Sequence, residues 1–492
     1  MSLRLHGPAA VAIAAVVPFA VLLATVRTSV GFWDTADLQT VAWIAGIPYP
    51  TGFPGYVVVA WLWAHAVPFA SVAARVNALS ALAIASGAGA VAGIALLLDV
   101  MPLIAIAAGW SFAFAHAVWL RGTYADVHPV GFAVAFIAIA LALRWARGGE
   151  QRALTAAIVL ACLAVAIDNT TVLVLAGGVV LAFGREWPPL PILRALAIGV
   201  VLVAALYAYL PLRSAYLTAH AVDPTLALGI APGRPFWDDH HPSTPDGFRA
   251  LVGGSEWSPE VTLAHLATPE SVRMTAARIG PLYVVDEPQG LPIAALIGLA
   301  IVAARLPFVA AGLALSAAVP TIFGATYQAE ADPGRYLFAL YAVTSLGAGV
   351  VADRIVRAFG RTRLAIPLAA IGVLFAALFA YDGARAGDLF AMRADTDAAD
   401  LAERVARATR DGAVVVSPWD WATPIAYHAY VDRALGSRIV VCGFALDYLG
   451  EYARWARDHQ LAIVSDGPPA VPGFVARRIA EGTPQVYELV RQ

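Results

Sequence analysis

Residues 54–70 read PGYVVVAWLWAHAVPFA, and whether they cross a bilayer decides the placement of every later segment. The stretch is apolar, yet it carries His65 near its middle and prolines at Pro54 and Pro68. Cytoplasmic loops of membrane proteins are enriched in Arg and Lys, which tests the two alternatives. Suppose the stretch does not span and the N-terminus is cytoplasmic. Arg4, Arg144, Arg147, Arg152, Arg185, Arg194, Arg305, Arg354, Arg357, Arg361 and Arg363 then all fall inside. If it spans, all of them except Arg4 move outside. We therefore read 54–70 as an amphipathic or re-entrant helix at the outer surface.

The chain around it is built for lipid. Its 492 residues are 60% hydrophobic and 13% charged, with a mean hydropathy of +0.72, outside the range of soluble globular domains. A helix needs roughly 20 apolar residues to cross the hydrocarbon core. Runs of that kind lie at about 9–28, 76–98, 102–119, 128–146, 152–167, 169–184, 192–211, 288–304, 306–324, 335–352 and 364–382. The expected fold class is an α-helical polytopic membrane protein of about eleven spans over residues 1–385, with outer loops at 29–75 and 212–287. The first run lacks a small-residue cleavage site and is expected to stay in place. From 386 to 492 the pattern changes: Ala413–Ser417, Arg438–Cys442 and Leu461–Ser465 read as strands with helical segments between them. That alternation predicts a small extracytoplasmic α/β domain with a parallel sheet.

Composition also excludes functions. All 32 basic residues are Arg, and the net charge of −2 speaks against a nucleic-acid partner. Cys162 and Cys442 fall in an apolar run and in the tail, so no disulfide is expected. The tail has no glycine-rich phosphate loop.

With this topology, 29–53, 120–127, 212–287, 325–334 and the tail share the outer face. The first reads GFWDTADLQTVAWIAGIPYPTGFPGY and places Asp34 and Asp37 three residues apart on one helical face. The second, RGTYADVHPVGF, brings Asp126 and His128 to the start of an apolar run, where ionisable groups are costly and are candidates for function. Alternatively, His128 caps the helix beside Pro129. Asp168 and Asn169 interrupt the apolar stretch 152–184, as a turn between two helices requires. Arg213, in YAYLPLRSA, and Arg335, in ADPGRYLF, sit at the outer ends of apolar runs. Each can hold a phosphate at headgroup level or anchor its helix at the interface. FWDDHHPSTPDGF (Asp238, Asp239, His240, His241) has metal-ligating residue types without metal-site spacing. In SPWDWATP, Trp419 and Trp421 can stack on a sugar or pack in a core.

Taken in order, WDTAD (Asp34, Asp37), YPTGFP (Tyr49 to Pro54), RVNALSA (Arg75 to Ala81), ADVHP (Ala125 to Pro129), YLPLR (209–213) and DPGRY (332–336) resemble the GT-C membrane glycosyltransferases. Within them the likeness is to the bacterial group related to a transmembrane protein O-mannosyltransferase. It runs over most of residues 30–350. There are departures: the family's first Glu is Asp37 here, its motif His is Tyr49, its second Glu is Asp126 and its following Tyr is His128.

The resemblance implies a polyprenyl-phosphate sugar donor and transfer, with inversion, to a glycan, glycolipid or protein acceptor on the outer face. It implies Asp34, Asp37 and Asp126 as catalytic carboxylates. Arg213, Arg335, Tyr49, His128, Tyr336 and Asn169 are then substrate-binding residues. A divalent cation is an optional companion, with Asp126 and His128 its candidate ligands. The expected location is a plasma (inner) membrane, with the N-terminus cytoplasmic and the C-terminal domain outside. Two other classes fit many apolar helices with a few buried charges: a flippase for lipid-linked sugars, expected to show repeated halves, and a non-catalytic cell-envelope scaffold.

Overall fold

The computed structural model describes residues 6–183, 185–254, 290–326, 333–359 and 389–492, with scattered positions at 268–280 and 372–383. Ten of the eleven expected spans fall on apolar helices; the run at 364–382 lies outside the described residues, apart from isolated positions. Among the described residues six helices are long and apolar enough to cross a membrane: α1 (Gly7–Thr25), α4 (Val72–Leu97), α7 (Val127–Gly148), α10 (Pro189–Ala219), α13 (Pro307–Thr326) and α14 (Phe338–Phe359). Shorter apolar helices fill the bundle between them: α5 (Pro102–Phe114), α8 (Gln151–Ile167), α9 (Thr171–Leu181) and α12 (Leu291–Ala303). The run at 102–119 is broken at Ala115, after which α6 (His116–Arg121) turns away.

Exposure identifies the solvent. On α10, Leu193, Val200 and Val201 are each more than 60% exposed, a surface that water would penalise and lipid accepts. The chain is a multi-pass membrane protein. Its interior is lined with small residues, which let helix backbones approach closely. A Cβ on Gly177 would stand 2.0 Å from the Gly312 carbonyl, locking α9 onto α13. A Cβ on Gly298 would stand 1.9 Å from that of Gly347, locking α12 onto α14.

The deciding stretch forms α3 (Pro54–Ala66), only 13 residues, about 20 Å long against a hydrocarbon core of about 30 Å. Tyr56, Ala60 and Ala64 are buried while Trp61 and Leu62 are exposed. One face thus packs on the bundle and the other is left to lipid. Before it, α2 (Trp33–Ile44) is a second short helix. Among the later segments, α11 (Pro245–Gly253) lies between α10 and the next apolar helix.

The C-terminal part is a five-stranded sheet of order β2-β1-β3-β5-β4. Strands β1 (Val414–Ser417), β2 (Ile439–Cys442) and β3 (Leu461–Ser465) are parallel, as their sequence spacing predicted. An antiparallel hairpin, β4 (Phe474–Ala480) and β5 (Gln485–Arg491), extends this parallel sheet by pairing with β3 through β5. Side chains alternate between two cores, as strand geometry requires. Val415, Val440, Ala462 and Val486 pack under α15 (Asp397–Ala408) and α16 (Trp419–Tyr430). Val414, Val416, Val441 and Ile463 pack under α17 (Leu449–Trp455), together with Leu228 and Ile230.

This domain is seated on the bundle. Helix α16 packs along α2, the Tyr427 hydroxyl accepts the Ala73 N–H at 3.0 Å, and Arg393 donates to the Ala24 carbonyl at 2.6 Å. The carboxyl ends of β1 and β2 therefore lie close to the segment that carries α2.

Candidate active site

The site begins with how α2 is held. Its last carbonyls lack partners inside the helix, and two residues of the YLPLR motif supply them. Arg213 donates to Ala45 O at 2.7 Å and to Ile44 O at 2.9 Å; Tyr209 donates to Ala45 O at 2.6 Å and to Gly46 O at 3.0 Å. The structure thus places Arg213 at a helix C-terminus, where a cation is favoured. The WDDHH segment braces the same end. Ile47 N–H donates to Trp237 O at 3.0 Å, an approach allowed only because residue 46 is Gly, whose Cβ would lie 2.0 Å from Phe236 O. Within the segment Asp239 binds His240 at 2.6 Å and Asp238 binds His241 at 2.7 Å.

At the other end of α2, Asp34 and Asp37 separate in character. Asp34 is about one third exposed, accepts the Trp419 indole N–H at 3.3 Å, and has Arg335 3.9 Å from its other oxygen. Asp37 is fully buried, and neither of its oxygens has a hydrogen-bond partner among the described residues. Burial, reinforced by the nearby charges of Asp239 and Asp34, pushes its carboxyl well above the usual range, and the Tyr49 backbone only partly offsets this. Tyr49 lies in the following loop with its ring edge on Phe53 and Trp419, at 5.3 and 6.1 Å. Burial and the Asp34 charge raise its phenol, while Arg335 acts in the opposite direction.

The ADVHP turn is suspended from α4 by the RVNALSA motif. Asn77 Oδ1 accepts the Ala125 N–H at 2.8 Å and Ser80 Oγ accepts the Asp126 N–H at 3.2 Å. Asn77 also receives Gln39 Nε2 at 2.7 Å, tying the turn to α2. Asp126 is the N-cap of α7: one oxygen accepts the His128 N–H at 2.9 Å and the other pairs with buried Arg121 at 3.0 Å. Burial alone would raise its carboxyl, but His128, Arg121 and Arg335 together hold it below the usual carboxylate range. His128 Nδ1 meets Asp168 at 2.8 Å, and the His128 ring is edge-on to Tyr336 at 5.4 Å. Asp168 is further bound by the Thr170 N–H at 2.9 Å and its hydroxyl at 2.7 Å. A cavity of about 20 Å³ lies between His128, Asp168, Thr170, Arg335 and Tyr336, room for about one water.

The structure therefore gathers Asp34, Asp37, Tyr49, Asp126, His128, Arg335 and Tyr336 around neighbouring ends of α2, α7 and α14. Arg213 sits beneath α2, and Asn169 lies in the α8–α9 turn. Asp126 and His128 are committed to Arg121 and Asp168. Among the described residues no group of three His, Cys, Asp or Glu side chains is arranged to hold a metal ion. Arg121 escaped sequence reasoning, and Asp168 was read as a turn, although each is an ionisable group at the end of an apolar helix, which was the available signal. Trp419 was expected at a strand end and instead opens α16. Burial, with the carboxylates of Asp239 and Asp37, pushes the Cys442 thiol up to about 12.

A family model described as the protein O-mannosyl-transferase TMEM260 N-terminal domain matches residues 34–190, which begin at Asp34 and include Asp126, His128 and Asp168. No curated protein sequence gave a significant match. Among solved structures, apo ArnT from Cupriavidus metallidurans superposes with a TM-score of 0.60 at 13% identity, covering 97% of each chain. ArnT from the same organism bound to undecaprenyl phosphate superposes with a TM-score of 0.57 at 13% identity, covering 98% of this chain and 97% of that one. Residues 34–190 thus match the TMEM260 N-terminal domain family, and the chain shares its overall fold with ArnT.

Proposed function

We propose that this protein is an inverting glycosyltransferase that moves a monosaccharide from a polyprenyl-phosphate carrier to an acceptor hydroxyl on the extracytoplasmic face of the plasma membrane. The N-terminus is then cytoplasmic. The observation that carries this is the partition of the carboxylates. Asp126 is held by Arg121 and the α7 terminus, Asp168 by His128 and Thr170, and Asp37 is enclosed. Asp34 alone in this group is partly exposed, with a guanidinium 3.9 Å away.

The chemistry follows. Asp34 accepts the proton of the acceptor hydroxyl as its oxygen attacks the anomeric carbon. The new C–O bond forms on the face opposite the phosphate. The old C–O bond breaks with its electron pair passing to the carrier phosphate, whose charge Arg335 stabilises. The ArnT complex with undecaprenyl phosphate supports a lipid-phosphate carrier on this fold. The test is transfer from radiolabelled polyprenyl-phosphate monosaccharides by the purified protein in lipid. Asp34→Asn is expected to lower turnover at least a hundredfold, the scale of a general base. A donor that binds but is not consumed by the wild type would instead favour a carrier.

A further inference from the structure

Trp419 belongs to the C-terminal domain, yet its indole N–H points at Asp34, 385 positions earlier in the chain. Its ring is fixed from two sides by segments far apart in the sequence. Phe236, from the long outer segment, stacks on it at 5.8 Å and 10°. Tyr49, from the loop after α2, meets it edge-on at 6.1 Å and 78°. Its helix is seated on α2 and bound to the start of α4 through Tyr427. With its face occupied by Phe236, Trp419 is poorly placed to stack on a sugar; its free group is the N–H, and that is spent on Asp34 Oδ1.

We infer that Trp419 is a positioning residue for Asp34, so that the C-terminal domain completes the transfer centre. Asp34 stands in the first turn of a short helix, partly exposed, where a carboxylate has several open rotamers. A donor on one oxygen fixes the carboxylate plane and so sets the direction in which the other oxygen meets the acceptor hydroxyl. A base misplaced by an ångström loses much of its effect. The inference rests on Asp34 acting as the base in the proposed transfer.

The test uses the full-length protein in lipid with Trp419→Phe, which keeps the aromatic contacts and removes the N–H. Turnover is expected to fall about tenfold, with the KM for the lipid-linked donor and the thermal unfolding midpoint unchanged. Because the effect acts through Asp34, Trp419→Phe in an Asp34→Asn background should cost nothing further, the mark of residues acting as a unit. A more acidic acceptor alcohol, which needs less help from a base, should narrow the deficit of both single variants in parallel. Full turnover in Trp419→Phe while Asp34→Asn is inactive would overturn the inference and leave the proposed function standing. Full turnover in Asp34→Asn would overturn the function itself. A fall in Trp419→Phe that tracks a lowered unfolding midpoint, or that multiplies with Asp34→Asn, would make Trp419 structural only.

Discussion

Arg121 and Asp126 are both nearly inaccessible, with side chains 6% and 7% exposed, so neither can exchange its partner for water. Arg121→Ala strands a buried carboxylate and is expected to cost about 3–5 kcal/mol of stability, read as a lower unfolding midpoint in detergent. The pH dependence has a definite sign. The Asp126 carboxyl is held below the usual range, so its contribution is complete above the ordinary Asp value of about 3.9 and is lost as pH falls through its depressed value. The gap between wild type and Arg121→Ala should therefore narrow on acidification through that window. At this scale the sequence was partly legible. Asp34, Asp126, His128 and Arg335 stand out as polar groups at the ends of apolar runs. Their partners do not, because the pairing of His128 with Asp168 and of Asp34 with Trp419 is made by packing over 40 and 385 residues.

Helices α9 and α13 cross with Gly177 and Gly312 in mutual backbone contact. Gly312→Leu must push them apart, and we expect a loss of at least ~1–3 kcal/mol, measured as reduced yield and a lower unfolding midpoint. Because α9 and α13 both line the cavity beside His128 and Asp168, through Val174 and Pro320, donor binding should weaken as well. Elements of this kind were the most legible part of the chain, since twenty apolar residues in a row have few alternatives. The break at Ala115 was not, because PLIAIAAGWSFAFAHAVWL continues apolar across it. The β4–β5 hairpin escaped for a different reason. Arg477 and Arg478 are consecutive in β4, whose register to β5 shifts between Arg478 and Ala480, so the alternation that marks a strand is interrupted.

At the scale of the molecule, a carrier phosphate that binds only the folded protein must stabilise it, by about 2.7 kcal/mol at a hundred times its Kd. Addition of polyprenyl phosphate without sugar should therefore raise the unfolding midpoint of wild type, and of Asp34→Asn equally. Arg335→Ala should abolish most of the shift while keeping its own midpoint close to wild type. A shift that survives in Arg335→Ala would move the phosphate site elsewhere.

The contact between Trp419 and Asp34 also sets a schedule. Synthesis proceeds from the N-terminus at roughly 5–20 residues per second, so the 385 residues between the two separate their emergence by about 20–80 s. For that time the first helices are already made, but on the inference above the carboxylate has no fixed orientation. On the proposed reading the nascent chain cannot consume sugar, and activity begins only when the C-terminal domain has folded onto the helices made before it.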